Sequence, residues 1–366
     1  MELQKSPSQN KAVVVWLWTG VIMIVIQVLL GGITRLTGSG LSITEWKPIV
    51  GAIPPMNEHD WMVAFEKYKQ IPQFREINTL FSLQEFKFIY FWEWLHRVWA
   101  RLFAVAFIIP FAYFYFKKMI RPEMVRPLII LFILGAVQGF IGWFMVSSGL
   151  NDLTSVSHYR LAIHFIMALL CLCYALWFIL QLTIKPEQVA YNTPLRKFTL
   201  VIFSILCLQL VYGAFMAGLK TGNSPAAVFA PTWPKINGEW VPSGLFSQQP
   251  ALKNLTDNPI TLHFIHRGLA YIITLLICIW FFRASKLNHV FLNKWRRVLL
   301  ALVCVQVTLG IITVLRSVKY NLFQPLKNEY VWLGVAHQFT AMCLVMVFTL
   351  LLFTVRKAGS GKEVGG

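Results

Sequence analysis

Eight apolar runs constrain this chain more than any other feature. They lie near 13–32, 87–116, 127–146, 159–183, 197–219, 260–282, 297–315 and 331–355. Each matches the length, about 20 residues, that a helix needs to cross the hydrocarbon core of a bilayer. With no water there, a segment must satisfy its own backbone polar groups, and an isolated helix does so internally. The expected fold is therefore an all-α membrane protein with eight transmembrane helices. Charged residues make up 13% of the chain, about half the usual share of a soluble protein. That excludes a soluble enzyme, a disordered chain and a nucleic-acid-binding domain, although the formal net charge is +18. All six cysteines fall inside apolar runs. They read as small buried hydrophobes, not as a disulfide framework or a zinc knuckle.

The positive charge reports topology. The N-terminal tail, the connections 117–126, 184–197 and 283–297 and the C-terminal tail together carry net +13. The connections 33–87, 147–158, 220–259 and 316–330 carry net +2. The positive-inside rule then places both termini in the cytoplasm. The first run has short basic flanks and no small-residue cleavage site, and no Arg-rich transit pattern precedes it. It is expected to be a retained span of a multi-pass protein in the bacterial cytoplasmic (inner) membrane. Two outer connections are long. In the first, Trp61, Phe65 and Tyr68 at helical spacing predict a short amphipathic surface helix, a cap on the bundle or a lid. The second, 220–259, is rich in Pro, Asn, Gly and Ser and is expected to be irregular.

The spans repeat. Gln27-x-x-x-Gly31, Gln138-x-x-x-Gly142, Gln209-x-x-x-Gly213 and Gln306-x-x-x-Gly310 occupy the odd-numbered runs. His96, His164, His266 and His337 occupy the even-numbered ones. The Gln-to-His separations alternate long, short, long, short. The repeat unit is therefore a four-helix half, 1–190 with its long outer loop 33–87 and then 191–366. The two bundles are tandem, related by a pseudo-twofold axis along the membrane normal. A glycine one turn after the glutamine lets a neighbouring helix approach, or makes room for a bulky flat ligand.

Ionisable side chains within a bilayer are costly and functional by default. Paired by repeat, the histidines make two sites, His96 with His164 and His266 with His337. Two imidazoles from facing helices of a bundle are the usual axial ligands of a b-type haem. Zinc requires further Cys, Asp or Glu ligands, and copper a tighter cluster with Cys or Met. Arginines stand where haem propionates need partners: Arg97 and Arg267 directly after a histidine, and Arg160 one turn before one. Arg35, Lys220 and Arg316 sit at the outer ends of odd-numbered spans, where interfacial snorkelling is the simpler reading. Glu93 lies three residues before His96, where the second half has His263. A carboxyl group on that face is a candidate acid–base group or the partner of an i, i+4 pair with Arg97. The asymmetry points to one reactive site and one electron-transfer site.

The string Gly31-Gly32-Ile33-Thr34-Arg35-Leu36-Thr37-Gly38-Ser39-Gly40-Leu41-Ser42 is followed by Glu45-Trp46-Lys47-Pro48, Pro54-Pro55, Glu85-Phe86-Lys87 and Glu93-Trp94-x-His96-Arg97. With Tyr159-Arg160-Leu161-Ala162-x-His164, His266-Arg267 and His337-Gln338, it resembles the haem A synthase family over nearly the whole chain. The first loop lacks a cysteine pair, so the likeness is to the branch that includes the mitochondrial-type enzymes. The resemblance implies an oxidoreductase that converts the C8 methyl of haem O to a formyl group by successive water-dependent hydroxylations, supplying haem A to terminal oxidases. It implies haem O, which is farnesylated, between His96 and His164, haem b on His266 and His337, and Glu93 as the catalytic carboxylate. Arg35, Arg97, Arg160 and Arg267 are then the candidate propionate partners. Implied partners are a haem O synthase (farnesyltransferase), cytochrome oxidase assembly factors, an electron acceptor and a second copy of the chain as a homo-oligomer. The competing reading is a dihaem b-type electron-transfer cytochrome that does not modify haem, with a transporter as a third.

Overall fold

A computed structural model of the chain describes residues 9–45, 50–150, 153–221, 224–320 and 328–357. Helix α1 spans Gln9–Leu36, α2 Glu58–Tyr68, α3 Leu83–Phe116, α4 Pro122–Leu150 and α5 His158–Thr183. Then come α6 Thr193–Gly218, the single turn α7 Asn254–Asp257, α8 Pro259–Ser285, α9 Val290–Arg316 and α10 Glu329–Thr354. Eight of these are long and apolar enough to cross a membrane, one for each apolar run, so the protein is an all-α, eight-span membrane protein. Most helices run a few residues past their apolar runs. Polar residues such as Glu123 and Arg126 extend the helix into the interfacial layer, where their side chains stay hydrated. Strand pairs are vestigial. β1 (Ala190–Tyr191) and the later β4 (Val355–Arg356) pair in parallel, and β2 (Lys220–Thr221) and β3 (Ser224–Pro225) pair antiparallel.

Packing follows chain order within each set of four spans. α1 packs on α3 and α5, and α4 on α5; α6 packs on α8 and α10, and α9 on α8 and α10. Between the sets, α5 packs on α6 and α10, and α1 on α10. One continuous core of residues such as Leu172, Ile179, Ile202, Trp280 and Phe348 fills the space near the termini of α1 and α10. Pro110 interrupts α3 and leaves the Ala106 carbonyl without an amide donor. The indole Nε1 of Trp16 donates to that oxygen at 2.9 Å, so the break is repaired from α1.

The amphipathic α2 forms where its spacing predicted. Asn57 caps it through Oδ1, which accepts from the Asp60 amide at 2.9 Å. Phe65 and Tyr68 are buried against Phe86 of α3, with ring centroids 5.0 and 5.2 Å away. Ser82 and Glu85 close a capping box at the start of α3. The second long connection is irregular, as expected. Its short 3₁₀ turns are Ala226–Phe229, Ser243–Phe246 and Ala251–Lys253. The six cysteines are free.

Candidate functional site: four histidines in glutamine–glycine notches

Each Gln-x-x-x-Gly motif meets the histidine of the next span. The Gln27 amide donates to the His96 carbonyl at 3.2 Å and lies 3.3 Å from its Nε2. The Gln138 amide donates to the His164 carbonyl at 3.1 Å and lies 3.2 Å from Nδ1. Gln209 donates to the His266 carbonyl at 2.9 Å. Gln306 Nε2 lies 3.2 Å from His337 Nε2, while Nδ1 of that ring donates to the Gln306 carbonyl at 3.1 Å. The glycines complete the notches. A Cβ built at Gly31, Gly142, Gly213 or Gly310 would stand 3.2, 3.0, 3.2 or 3.0 Å from Cε1 of the same histidine. The space kept by glycine is thus taken by the imidazole itself. Helix approach is its purpose, and room for a flat ligand is not what these four positions provide.

The His266 and His337 rings face each other across α8 and α10, with centroids 6.4 Å apart at 62°. Nδ1 of His96 and of His266 is buried without a partner, as is Oε1 of all four glutamines. Among the described residues, no group of three or more His, Cys, Asp or Glu side chains converges as a metal cage.

Beside His96, the first-loop string forms a helix stop that reaches back to Glu93. Gly38 has φ of 71°, the left-handed conformation that ends helices without a Cβ penalty. The Ser39 amide closes onto the Thr34 carbonyl at 2.9 Å. The chain then turns so that Ser42 Oγ and the Ile43 amide donate to Glu93 Oε2 at 2.7 and 2.9 Å. Arg97 binds Glu93 Oε1 at 2.6 Å. The carboxylate, 2% exposed, is therefore held by three donors. Ser42 and Ile43 carry no sequence signal of this role, because their partner lies 50 residues away. Trp46, Lys47 and Pro48 lie outside the described residues.

Arg35, Arg97, Arg160 and Arg267 each reach at least one backbone carbonyl. Arg97 reaches Ile43 and Glu45 of the first loop at 3.1 and 3.4 Å. Arg267, its counterpart in the repeat, reaches Ala230 and Thr232 of the second loop at 2.6 and 2.8 Å. Arg160 donates to the Phe144 carbonyl at 2.7 Å and to the Ser147 hydroxyl at 3.1 Å, and lies 3.8 Å over the Phe144 ring. Arg35 crosses to the other set of spans and donates to Ala217 and Gly218, the last carbonyls of α6, at 2.9 and 2.5 Å. Arg316 pairs with Glu329 at 2.9 Å, and the Lys220 side chain lies outside the described ones. His263 takes the place of Glu93 and is fully buried, with Nε2 unpartnered.

Two further residues complete the frame. Gln338, next to His337, donates to the Val28 carbonyl of α1 at 3.0 Å, and its Oε1 fills the space above Gly32. Outside the spans, Tyr68 receives a hydrogen bond from Asn78 at 2.7 Å and donates to Gln73 at 3.1 Å. Gln73 in turn donates to the Gly38 carbonyl at 3.0 Å. Burial pushes the Tyr68 phenol well above its ordinary range.

These features define a class: a polytopic α-helical membrane protein that holds four imidazoles in repeated intramembrane notches, with one caged carboxylate beside the first. Comparison with known proteins narrows it. Residues 14–349 match the model of the COX15-CtaA family, described as cytochrome oxidase assembly protein, and the chain belongs to that family. It is 39% identical over 353 residues to a heme A synthase of Flavobacterium psychrophilum, covering 95% of this chain and 99% of that one. It is 40% identical over 357 residues to one of Rhodospirillum centenum, covering 95% and 90%. For one of Brucella suis the identity is 39% over 337 residues, covering 92% and 89%.

Proposed function

We propose that this chain is a haem A synthase, an oxidoreductase of the bacterial inner membrane that acts on haem O to produce haem A. Residues 1–190 form the substrate half and 191–366 the half with a resident haem b, both termini being cytoplasmic. The single observation that carries the second assignment is the His266–His337 pair. Two imidazoles that shared one metal ion through bonds of about 2 Å, with each ring centre roughly 1 Å behind its nitrogen, would have centres about 6 Å apart; His266 and His337 stand at 6.4 Å and would be the residues to hold the haem. The unpartnered atoms suit the same reading. A ligating imidazole donates through its second nitrogen to an outer acceptor, and each notch keeps a glutamine Oε1 unsatisfied. A half-turn of the Gln138 amide presents that oxygen to His164 Nδ1.

Haem b, when bound, supplies an acceptor for single electrons. Each hydroxylation by water releases two electrons and two protons, so an external electron acceptor takes four electrons in all, and the chain's own residues hold the substrate and handle the protons. His96 and His164 orient the substrate iron. Glu93, adjacent on α3, stabilises positive charge that develops at the C8 carbon and takes a proton from attacking water. Ser42, Ile43 and Arg97 hold that carboxylate aimed. Two hydroxylations, through a hydroxymethyl group and a gem-diol that loses water, give the formyl product. Arg97 and Arg267 organise the outer loops, Arg35 and Arg160 tie neighbouring spans, and all four meet the propionates from those positions. A haem O synthase delivers the substrate and oxidase assembly factors receive the product.

Co-expression with a haem O-producing enzyme, followed by chromatography of extracted haems, tests this. Wild type yields haem A, and Glu93→Gln accumulates haem O with the His266/His337 spectrum intact. Extraction of protohaem alone from wild type would overturn the reading in favour of an electron carrier.

A further inference from the structure

The first-loop segment 38–45 wraps Glu93, and residues on or just after α2 hold that segment at both ends. At its start, Gln73 donates through Nε2 to the Gly38 carbonyl at 3.0 Å. At its end, Lys67 pairs with Glu45 at 2.7 Å. Between these ties, Ser42 Oγ and the Ile43 amide supply two of the three donors to the Glu93 carboxylate. The carbonyls of Ile43 and Glu45 accept from Arg97, which is the third donor.

Gln73 is itself held. Residues Gln73–Ile77 form a single turn of π-helix, closed by the Asn78 amide on the Gln73 carbonyl at 3.0 Å. Such turns are rare and recur at functional sites. This one brings two amide side chains onto one phenol. The Tyr68 hydroxyl donates to Gln73 Oε1 at 3.1 Å and accepts from Asn78 Nδ2 at 2.7 Å. Tyr68, Gln73 and Asn78 are all buried, although they lie outside the spans. Burying polar side chains is costly unless they are bonded, and a buried chain of hydrogen bonds fixes one geometry. Lys67 and Glu45 are half exposed, and an exposed ion pair holds little. The grip on the segment therefore rests on Gln73. Tyr68 is also near enough to Glu93 for that charge to add to the burial that pushes its phenol up.

Resting on the functional reading above, which makes Glu93 the catalytic carboxylate, we propose that Gln73, braced by Tyr68 and Asn78, is a positioning residue for the methyl oxidation: it fixes the Gly38 end of the wrapping segment and so keeps the Ser42 and Ile43 donors on Glu93. Without the tie to Gly38 the segment lifts from α3, Oε2 of Glu93 loses both donors, and the carboxylate swings on its remaining bond to Arg97. Helix α2 is thus the outer jaw of a clamp on the reactive group, and its aromatic face on Phe86 anchors that jaw to α3.

Gln73→Met keeps the length of the side chain and removes its donor and acceptor, whereas Tyr68→Phe removes only the brace behind it. Each is co-expressed with a haem O-producing enzyme, and haem A and haem O from the membranes are separated by chromatography. Affinity for haem O is read separately, by absorbance titration of the purified protein with haem b in place. Gln73→Met lowers conversion to haem A by roughly tenfold, inside the roughly 100-fold that misplacement by about 1 Å costs. Its haem O affinity and the His266/His337 spectrum stay at wild-type values. Tyr68→Phe lowers conversion by less. In a Ser42→Ala background Gln73→Met costs roughly twofold or less, because residues that act through one contact are not additive; a merely structural role multiplies the two losses. Glu66→Ala, on the exposed face of α2, converts as wild type. Should Gln73→Met not accumulate, Tyr68→Phe carries the same comparison. Full conversion by the variant, or a loss that multiplies with that of Ser42→Ala, overturns the clamp alone. Normal haem A output from Glu93→Gln overturns the functional reading of that carboxylate and the clamp with it.

Discussion

Gly310→Ala is the sharpest probe of the notches. The added Cβ would lie 3.0 Å from His337 Cε1, whereas carbon atoms rest at about 3.5–4.0 Å. The ring must retreat by about 0.5 Å. It cannot do so freely, because Nδ1 is tied to the Gln306 carbonyl at 3.1 Å. Metal–ligand distances tolerate about 0.2 Å, so the displacement exceeds what a ligand bond absorbs. Perturbing a ligand's support costs about 10–100-fold in affinity, or about 1.4–2.8 kcal/mol at 1.4 kcal/mol per tenfold. The assay is haem content of purified protein and its reduced absorption spectrum during titration with an apo-protein haem acceptor. Gly310→Ala should lose haem b faster and show a ligand-loss spectrum. Gly268→Ala, with nothing within 4 Å, should behave as wild type. A Gly310→Ala protein with full haem content and an unchanged spectrum would refute the notch argument.

Further predictions concern the frame. Gly32→Ala drives a Cβ into Gln338 Oε1 and should lower thermal stability, while Gln338→Ala alone costs about 0.5–1.5 kcal/mol. The pair should be less than additive in a double-mutant cycle, and strict additivity would deny the contact. Arg267→Gln removes two charge-assisted bonds to the second loop, each worth about 1.5–3 kcal/mol. Proteolysis within 226–257 should accelerate with the first loop unaffected. For Tyr68, the folded phenol titrates above its unfolded value of about 10. Its contribution is complete below pH 10 and is lost as pH rises beyond it toward the folded value. Cleavage of the first loop by an alkali-tolerant protease should accelerate above pH 10 in wild type, and Tyr68→Phe should reduce that acceleration; an identical pH profile for the variant would refute the assignment.

The spans and α2 were legible because each needs only a local pattern, a run of twenty apolar residues or three aromatics at helical spacing. The Gln and His periodicity was legible for the same reason. What each glycine faces was not, since that depends on the vertical register of two neighbouring helices. Ser42 and Ile43 were invisible as partners of Glu93 because a turn around Gly38 brings them back over a long separation. Gln338 stood in a recognisable motif, yet only the packing of α10 on α1 shows what its amide grips. The arginines were found as residues but not as clamps. A guanidinium beside a histidine reads as an anion partner, and a loop carbonyl leaves no mark in composition.

Arg35 has a consequence for how the protein is made. Its acceptors, Ala217 and Gly218, lie 182 and 183 residues downstream. At about 5–20 residues per second, the ribosome needs roughly ten seconds or more to produce them. Through that interval the first span sits in the bilayer with its guanidinium stretched toward the headgroups. The leading repeat therefore reaches its final posture only after the fifth span is inserted, and maturation of the first site waits on synthesis of the second.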